Sequence, residues 1–357
     1  MKLYKNLVGF ELKKILKRKI IWITMVVTLA ITAFAIYSQQ HLGGYYINGE
    51  LVDSNYNMFQ KYQKYARTFS AIWNFVRSAA GMTVEEAFSW QPDEGELYAL
   101  REKALEEDWK KAGLSQAEKE YWKEKEGALE IPVTFFYKEG YWTLLNGCST
   151  VSIMVLLSVA IGLSNMFPEE HVRKTDQLIL SSLHGRRLYW AKLTAGAVFG
   201  VGMALLHFLF ALGFSLLLCG ADGFDAVIQL IYPRISDPIS VGEAVFLICG
   251  QLLVMGAFIS VCVMIFSELC RNSIAALAAV SGLLLFSMFF EIPEVFRTAS
   301  QIWSYVPQTL YAGDVFDSRL VSVFGFFFTK YQFLPIIYTV LAVLFAILGK
   351  LAYNRQK

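Results

Sequence analysis

The chain has 357 residues, of which 55% are hydrophobic and only 17% charged, and its mean hydropathy is +0.43. A water-soluble globular domain usually carries about 25% charged residues. The composition therefore excludes an ordinary soluble domain and points to an all-α polytopic membrane protein. Net charge is only +2, it is unevenly placed, and no nucleic-acid partner is expected. The 28 Phe, 18 Tyr and 8 Trp fit side chains that face lipid and anchor at its interfaces.

Residues 1–19 are basic and partly amphipathic. Leu3, Leu7, Val8, Leu12, Ile15 and Leu16 share a side at helical spacing, and Glu11 and Lys14 interrupt the stripe. This predicts a helix lying on the cytoplasmic membrane surface. Ile20–Tyr37 is an uncharged run of 18 residues, about 27 Å as a helix, which suffices for a first span. A cleaved signal peptide fits less well, because the run is long and lacks a convincing small-x-small site.

Residues 38–146 form a polar insertion, expected to be helical and extracellular. Gly43-Gly44 marks a turn. Glu94–Lys111 is predicted as a helix, with Glu106/Lys110 and Glu107/Lys111 four apart. Gly113 breaks it, and Ser115 with Glu118 matches a capping box opening a helix through Lys125.

Five further spans are predicted within 147–352, at about Thr150–Phe167, Leu193–Leu218, Val241–Phe266, Ser273–Phe290 and Leu334–Leu351, before a tail at 353–357. Tyr137, Tyr141 and Trp142, with Phe135 and Phe136, read as an aromatic belt before the second, and Tyr189 and Trp190 as one before the third. Val321–Phe328 is too short to span. Cys148, Cys219, Cys249, Cys262 and Cys270 lie in or beside apolar runs without a C-x-x-C pair, and so read as small buried hydrophobes.

Short loops set orientation through their Lys and Arg. Seven basic residues precede the first span. Arg173, Lys174, Arg186 and Arg187 join spans two and three, and Lys350, Arg355 and Lys357 close the chain. Six spans with both termini cytoplasmic satisfy this pattern in the cell membrane.

No P-loop and no H-E-x-x-H is present. Span centres carry no Asp, Glu, Lys or Arg, which argues against a proton-coupled carrier with buried carboxylates. His207 reads as an interhelical hydrogen-bonding group. Glu243, in the first turn of span four, reads as reaching the outer interface. Residues 168–192 are the informative segment. Pro168 ends span two, Glu169 and Glu170 follow, and Asp176–Leu183 can form a short amphipathic helix that docks in a partner's groove. Gly185 ends it, and Arg186, Arg187 and Lys192 fall at lipid-phosphate height.

This segment resembles the first cytoplasmic loop of the permease subunits of type-2 ABC exporters (the ABC-2 family). That loop carries a Glu, a G-T/S-x-x-x-L-L-S-x-P-x-S-R-like stretch, and a Lys entering span three. Glu169 or Glu170 matches the acid, with Glu170 the favoured one. Thr175, Leu178 and Leu180 match the middle, and Ser181, Arg186 and Lys192 the end. Lys174, Leu183 and Gly185 depart from the usual Gly, Pro and Ser. The resemblance implies a coupling site at Glu169, Glu170, Thr175, Asp176, Leu178, Arg186, Arg187 and Lys192, pressed by cytoplasmic ATPase subunits that bind the ATP and Mg. It also implies a second permease, expected to be a copy of this chain, and no cofactor or catalytic residue in this chain. Family cargoes include peptides, antibiotics, lipids and polysaccharides. Two other classes stay open: a sensor whose 38–146 region binds an outer ligand, and a membrane enzyme drawing on Ser152, Ser158, Ser164 and His207.

Overall fold

The computed structural model describes residues 2–42, 44–47, 50–53, 71–82, 94–131, 133, 137–172, 185–293, 295–306 and 312–355. The fold is all-α, with two small hairpins. In chain order its elements are α1 (Lys2–Leu16), α2 (Lys19–Leu42), β1 (Gly44–Ile47), β2 (Glu50–Asp53), α3 (Ala71–Ala79), α4 (Glu94–Lys111), α5 (Gln116–Glu126), α6 (Glu139–Leu163) and α7 (Pro168–Val172). These are followed by α8 (Gly185–Cys219), α9 (Val241–Cys270), α10 (Ser273–Phe289), α11 (Arg297–Trp303), α12 (Ala312–Val315), β3 (Val321–Val323), β4 (Phe326–Phe328) and α13 (Lys330–Arg355).

Five stretches among the described residues are long and apolar enough to cross a membrane: Lys19–Gln39, Glu139–Glu170, Arg187–Cys219, Val241–Cys270 and Lys330–Asn354. α10 is apolar but shorter, at 17 residues. Several helices start earlier than their apolar runs. α6 begins at Glu139, and its first turn is buried, while α8 begins at Gly185. Gly185 opens α8, and the helix expected over Asp176–Leu183 lies outside the described residues.

Local chemistry sets the helix ends. Trp22 Nε1 donates to Leu16 O at 2.8 Å, taking up a free carbonyl at the end of α1. Ser240 and Glu243 form a capping box at the start of α9, so Glu243 acts as a cap. Arg271 leaves α9 in the left-handed region at φ 50°, and Asn272 Oδ1 accepts from Ile274 N and Ala275 N. Two residues thus turn the chain from α9 into α10. Pro335 lies inside α13 and cannot donate to Tyr331 O, so Gln251 Nε2 from α9 fills that carbonyl at 2.5 Å.

α8 packs on α6 and α9, α2 on α6, and α13 on α9. α8 and α9 touch backbone to backbone. A Cβ on Gly200 would lie 1.9 Å from Ser260 Oγ and 2.5 Å from Gly256 O. Small residues at such crossings let membrane helices gain close van der Waals contact.

α1, the end of α6, the start of α8 and the end of α13 meet at one end of the bundle, called the base here. Tyr353 packs there against Phe167 and Tyr189. Tyr189 is 1% exposed and donates to Ala346 O, and Tyr141 is 5% exposed and donates to Ala221 O. These two tyrosines were expected in lipid-facing belts. They face inward instead, because each hydroxyl finds a carbonyl there. Phe135 and Phe136 lie outside the described residues.

The insertion sits at the opposite end. α4 matches the predicted helix to the residue, and the Ser115–Glu118 capping box is present. Glu106 pairs with Lys123 of α5 at 2.5 Å, across two helices. Arg101 is 3% exposed. It donates to Pro233 O and Ile235 O at 3.1 and 3.2 Å and pairs with Glu126. The 321–328 stretch forms the β3–β4 hairpin, turned by Phe324 and Gly325 at φ 52° and 84°.

Candidate functional site

The end of α6 unwinds over residues 164–167, which frees backbone carbonyls that need partners. Side chains from the α1–α2 turn, from α8 and from α9 supply them. Arg18 reaches Gly162 O and Asn165 O, each at 3.4 Å. Lys192 Nζ donates to Met166 O at 3.2 Å. Ser267 Oγ of α9 donates to Ser164 O at 2.8 Å. Two of these donors are cations at a helix C-terminus, where the helix dipole favours positive charge.

Pro168 then starts α7, the first-turn position that suits its missing N–H. Glu169 and Glu170 follow, and both carboxylates point back into the base. Glu169 pairs with Arg18 at 2.7 Å, and Lys14 stands 3.9 Å away. Glu170 pairs with Lys192 at 2.5 Å, and Lys14 lies 3.8 Å from it. Lys192 is 0% exposed, and its ammonium sits 4.6 Å from the Phe167 ring centroid. It does not lie at lipid-phosphate height, because Glu170 and Met166 O draw it inward.

α1 completes the cluster. Glu11 and Lys14 fall on one face of α1, with the fully buried Ile15 beside them, and Arg18 follows in the turn to α2. Glu11 is 2% exposed, and burial raises its carboxyl above the ordinary 4.5, against the opposing fields of Lys192 and Lys14. α1 therefore docks on α8 rather than lying free, and Tyr4 OH contacts Trp190 O and Thr194 Oγ1 at 3.1 and 2.7 Å. Three acids (Glu11, Glu169, Glu170) face three bases (Lys14, Arg18, Lys192) where α1, α6, α7 and α8 converge. The arrangement can transmit force between these helices.

Of the residues predicted for coupling, Glu169, Glu170 and Lys192 come together. Arg187 is exposed at the start of α8. Arg186 belongs to α8 by backbone, and its side chain lies outside the described residues, as do Thr175, Asp176 and Leu178 entirely. Glu11, Lys14 and Arg18 were missed as partners. Their signal was the interruption of the apolar stripe on α1.

Two further polar links hold the molecule. Within the spans, His207 Nδ1 donates to Met203 O at 2.8 Å, and Nε2 lies 2.9 Å from Thr28 Oγ1. Thr28 Oγ1 is also 3.2 Å from Ser158 Oγ, so the chain of contacts joins α2, α6 and α8. At the insertion, Glu118 is 3% exposed and takes Arg297 Nη2 on both oxygens at 2.6 Å, as well as Leu320 N at 3.1 Å. Burial alone would raise its pKa, but the hydrogen bonds from Arg297, Ser115 and Leu320 outweigh that and hold it below the ordinary 4.5. Trp122 Nε1 donates to Ser318 O at 2.6 Å beside it.

No protein-family model matches the chain, and neither a curated protein nor a solved structure matches it significantly.

Proposed function

We propose that the chain is the permease subunit of an ATP-driven exporter of the ABC-2 type, with the base cluster as the junction where force enters the spans. α10 serves as the sixth span, since its 17 residues rise about 25 Å. The base faces the cytoplasm of the cell membrane, where the basic head, the 168–192 segment and the tail gather, and the insertion lies outside. A second copy of the chain completes the path, and two separate ATPase subunits carry the ATP and Mg.

One observation carries this reading. The stretch resembling a coupling helix is flanked by two short, strongly held attachments. Glu169 and Glu170 fix its leading side, and Lys192 fixes its trailing side, through the same ion cluster. A push on residues between them would pass to α1, α6 and α8 together rather than dissipate in a slack loop.

Affinity purification of the full chain from detergent-solubilised membranes tests it. An ATP-hydrolysing partner is expected to co-purify and to be lost on Leu178→Glu or Arg186→Glu. The reading fails if no such partner is retained, or if replacing 174–183 with a Gly/Ser linker leaves its retention unchanged.

A further inference from the structure

Two cavities meet at the end of the spans opposite the base. The first is a groove of about 900 Å³ between α9, α10, α11 and α13. Phe258, Cys262, Leu284, Ile337 and Leu341 are among its walls, and none of its lining residues is charged. It follows α13 from Phe333 to Phe345, about 18 Å of helix rise. The second is a polar chamber of about 800 Å³ bounded by the insertion, the 291–319 region and the first turns of α13. Trp303 and Val306 border both spaces. Each volume lies within or near the ~300–1,000 Å³ range of small-molecule sites.

The chamber's charges are mostly matched within the protein. Arg319 pairs with Asp317 at 2.5 Å, and Arg234 and Lys111 approach Asp108 at 3.3 and 3.9 Å. Lys330 is the exception. It lines the chamber and is only 7% exposed, yet it makes no ion pair or hydrogen bond among the described residues. Its Nζ stands 6.0 Å from the centroid of the Tyr305 ring, and Asp317 and Asp314 act on it electrostatically without closing an ion pair. Tyr305 lines the apolar groove, so the ammonium stands at the junction of the two spaces. Asp314 and Glu291 also border the chamber but are exposed. A buried ammonium that feels Asp317 and Asp314 only at longer range, with no direct ion pair among the described residues, is unfavourable, and an anion entering the chamber would relieve it.

We infer that the joined cavities bind an anionic amphiphile, with its acid head on Lys330 and its hydrocarbon tail in the groove. The head is matched by charge, and the tail by an uncharged wall of suitable length. Binding here does not depend on an ATPase partner, so the site stands or falls separately from the exporter reading.

Photolabelling of the full chain in neutral maltoside tests it, using a diazirine-bearing palmitate and the matching diazirine hexadecanol, with labelled peptides mapped by mass spectrometry. Palmitate is expected to label α9 and α13 along the groove, at least tenfold more than hexadecanol at limiting probe. Lys330→Met is expected to reduce palmitate labelling at least tenfold, and Lys330→Arg to retain it. The thermal unfolding of Lys330→Met, read alongside, shows whether the variant is folded. Leu341→Trp keeps the charge but fills the groove, and it should abolish labelling by both probes. Competition by unlabelled palmitate alone identifies a single-chain acid, whereas competition by phosphatidylglycerol as well extends the site to membrane lipid. Equal labelling of the parent and a folded Lys330→Met, equal labelling by acid and alcohol, or labels mapped away from the groove would overturn the inference.

Discussion

Replacing Glu170 by Gln should damage the base more than replacing its partner Lys192 by Met. Lys192 is fully buried, and Glu170 Oε2 lies 2.5 Å from its ammonium. In Glu170→Gln that charge keeps the Met166 carbonyl at 3.2 Å, the Phe167 ring and the longer-range field of Glu11, but loses its directly paired carboxylate. Stranding a buried charge in this way costs about 3–5 kcal/mol. In Lys192→Met the surviving carboxylate is 12% exposed and keeps Lys14 at 3.8 Å. The loss is then closer to that of one charged hydrogen bond, about 1.5–3 kcal/mol. The double variant should be little worse than Lys192→Met alone, because neither partner is left behind. Reversible SDS-titrated unfolding of the full chain in mixed micelles, followed by tryptophan fluorescence, gives the three values and their coupling energy. The reasoning is refuted if Glu170→Gln is no more harmful than Lys192→Met, or if the two losses simply add.

Three further outcomes follow from the packing and the carboxyl groups. Gly200→Ala places a methyl against Ser260 Oγ and Gly256 O and should cost about 1–3 kcal/mol in the same unfolding assay. Gly202→Ala meets nothing within 4 Å and should be neutral or stabilising by about 0.5–1 kcal/mol. Glu11 has a raised pKa, so its contribution is fully present below about pH 4.5 and is lost as pH rises through its folded value. Glu11→Gln should flatten that dependence, read by protease cleavage of α1 against pH. Glu118 has a lowered pKa, so its stabilisation is present above about pH 4.5 and is lost as pH falls through the folded value. Glu118→Gln should weaken the contact between the insertion and α11 at neutral pH, seen as faster amide exchange over 297–303 by hydrogen–deuterium exchange.

Among the described residues, hydropathy located the five long apolar helices and α10, because a bilayer's solvent demand is written into composition residue by residue. Ser115 with Glu118, and the α4 helix, were equally readable, since capping and helix periodicity are local. Tertiary partners were not. Lys192 reads as an interfacial cation until α6 presents Glu170 and the Met166 carbonyl to it. Glu11 and Lys14 read as faults in an apolar stripe, although that stripe packs on charged groups as well as on lipid-like surface. His207 was anticipated as an interhelical hydrogen-bonding group, but its link to Thr28 and Ser158 depends on how three helices stack. Lys330 carried no sequence signal, because only the cavity around it distinguishes it from an ordinary first-turn lysine.

The fastening of the insertion also governs the order of assembly. Arg101 needs Pro233 and Ile235, Glu118 needs Arg297 and Leu320, and Trp122 needs Ser318. Each partner is synthesised more than a hundred residues after the group it satisfies. The insertion is thus delivered early, yet Glu118 and Trp122 lack these distant partners until the last third of the chain is in place. Closing such long loops is slow relative to local helix formation. A nascent chain halted before α11 would expose an acidic, aromatic surface awaiting its seat, and completion of the outer layer becomes the step that separates a finished molecule from an unfinished one.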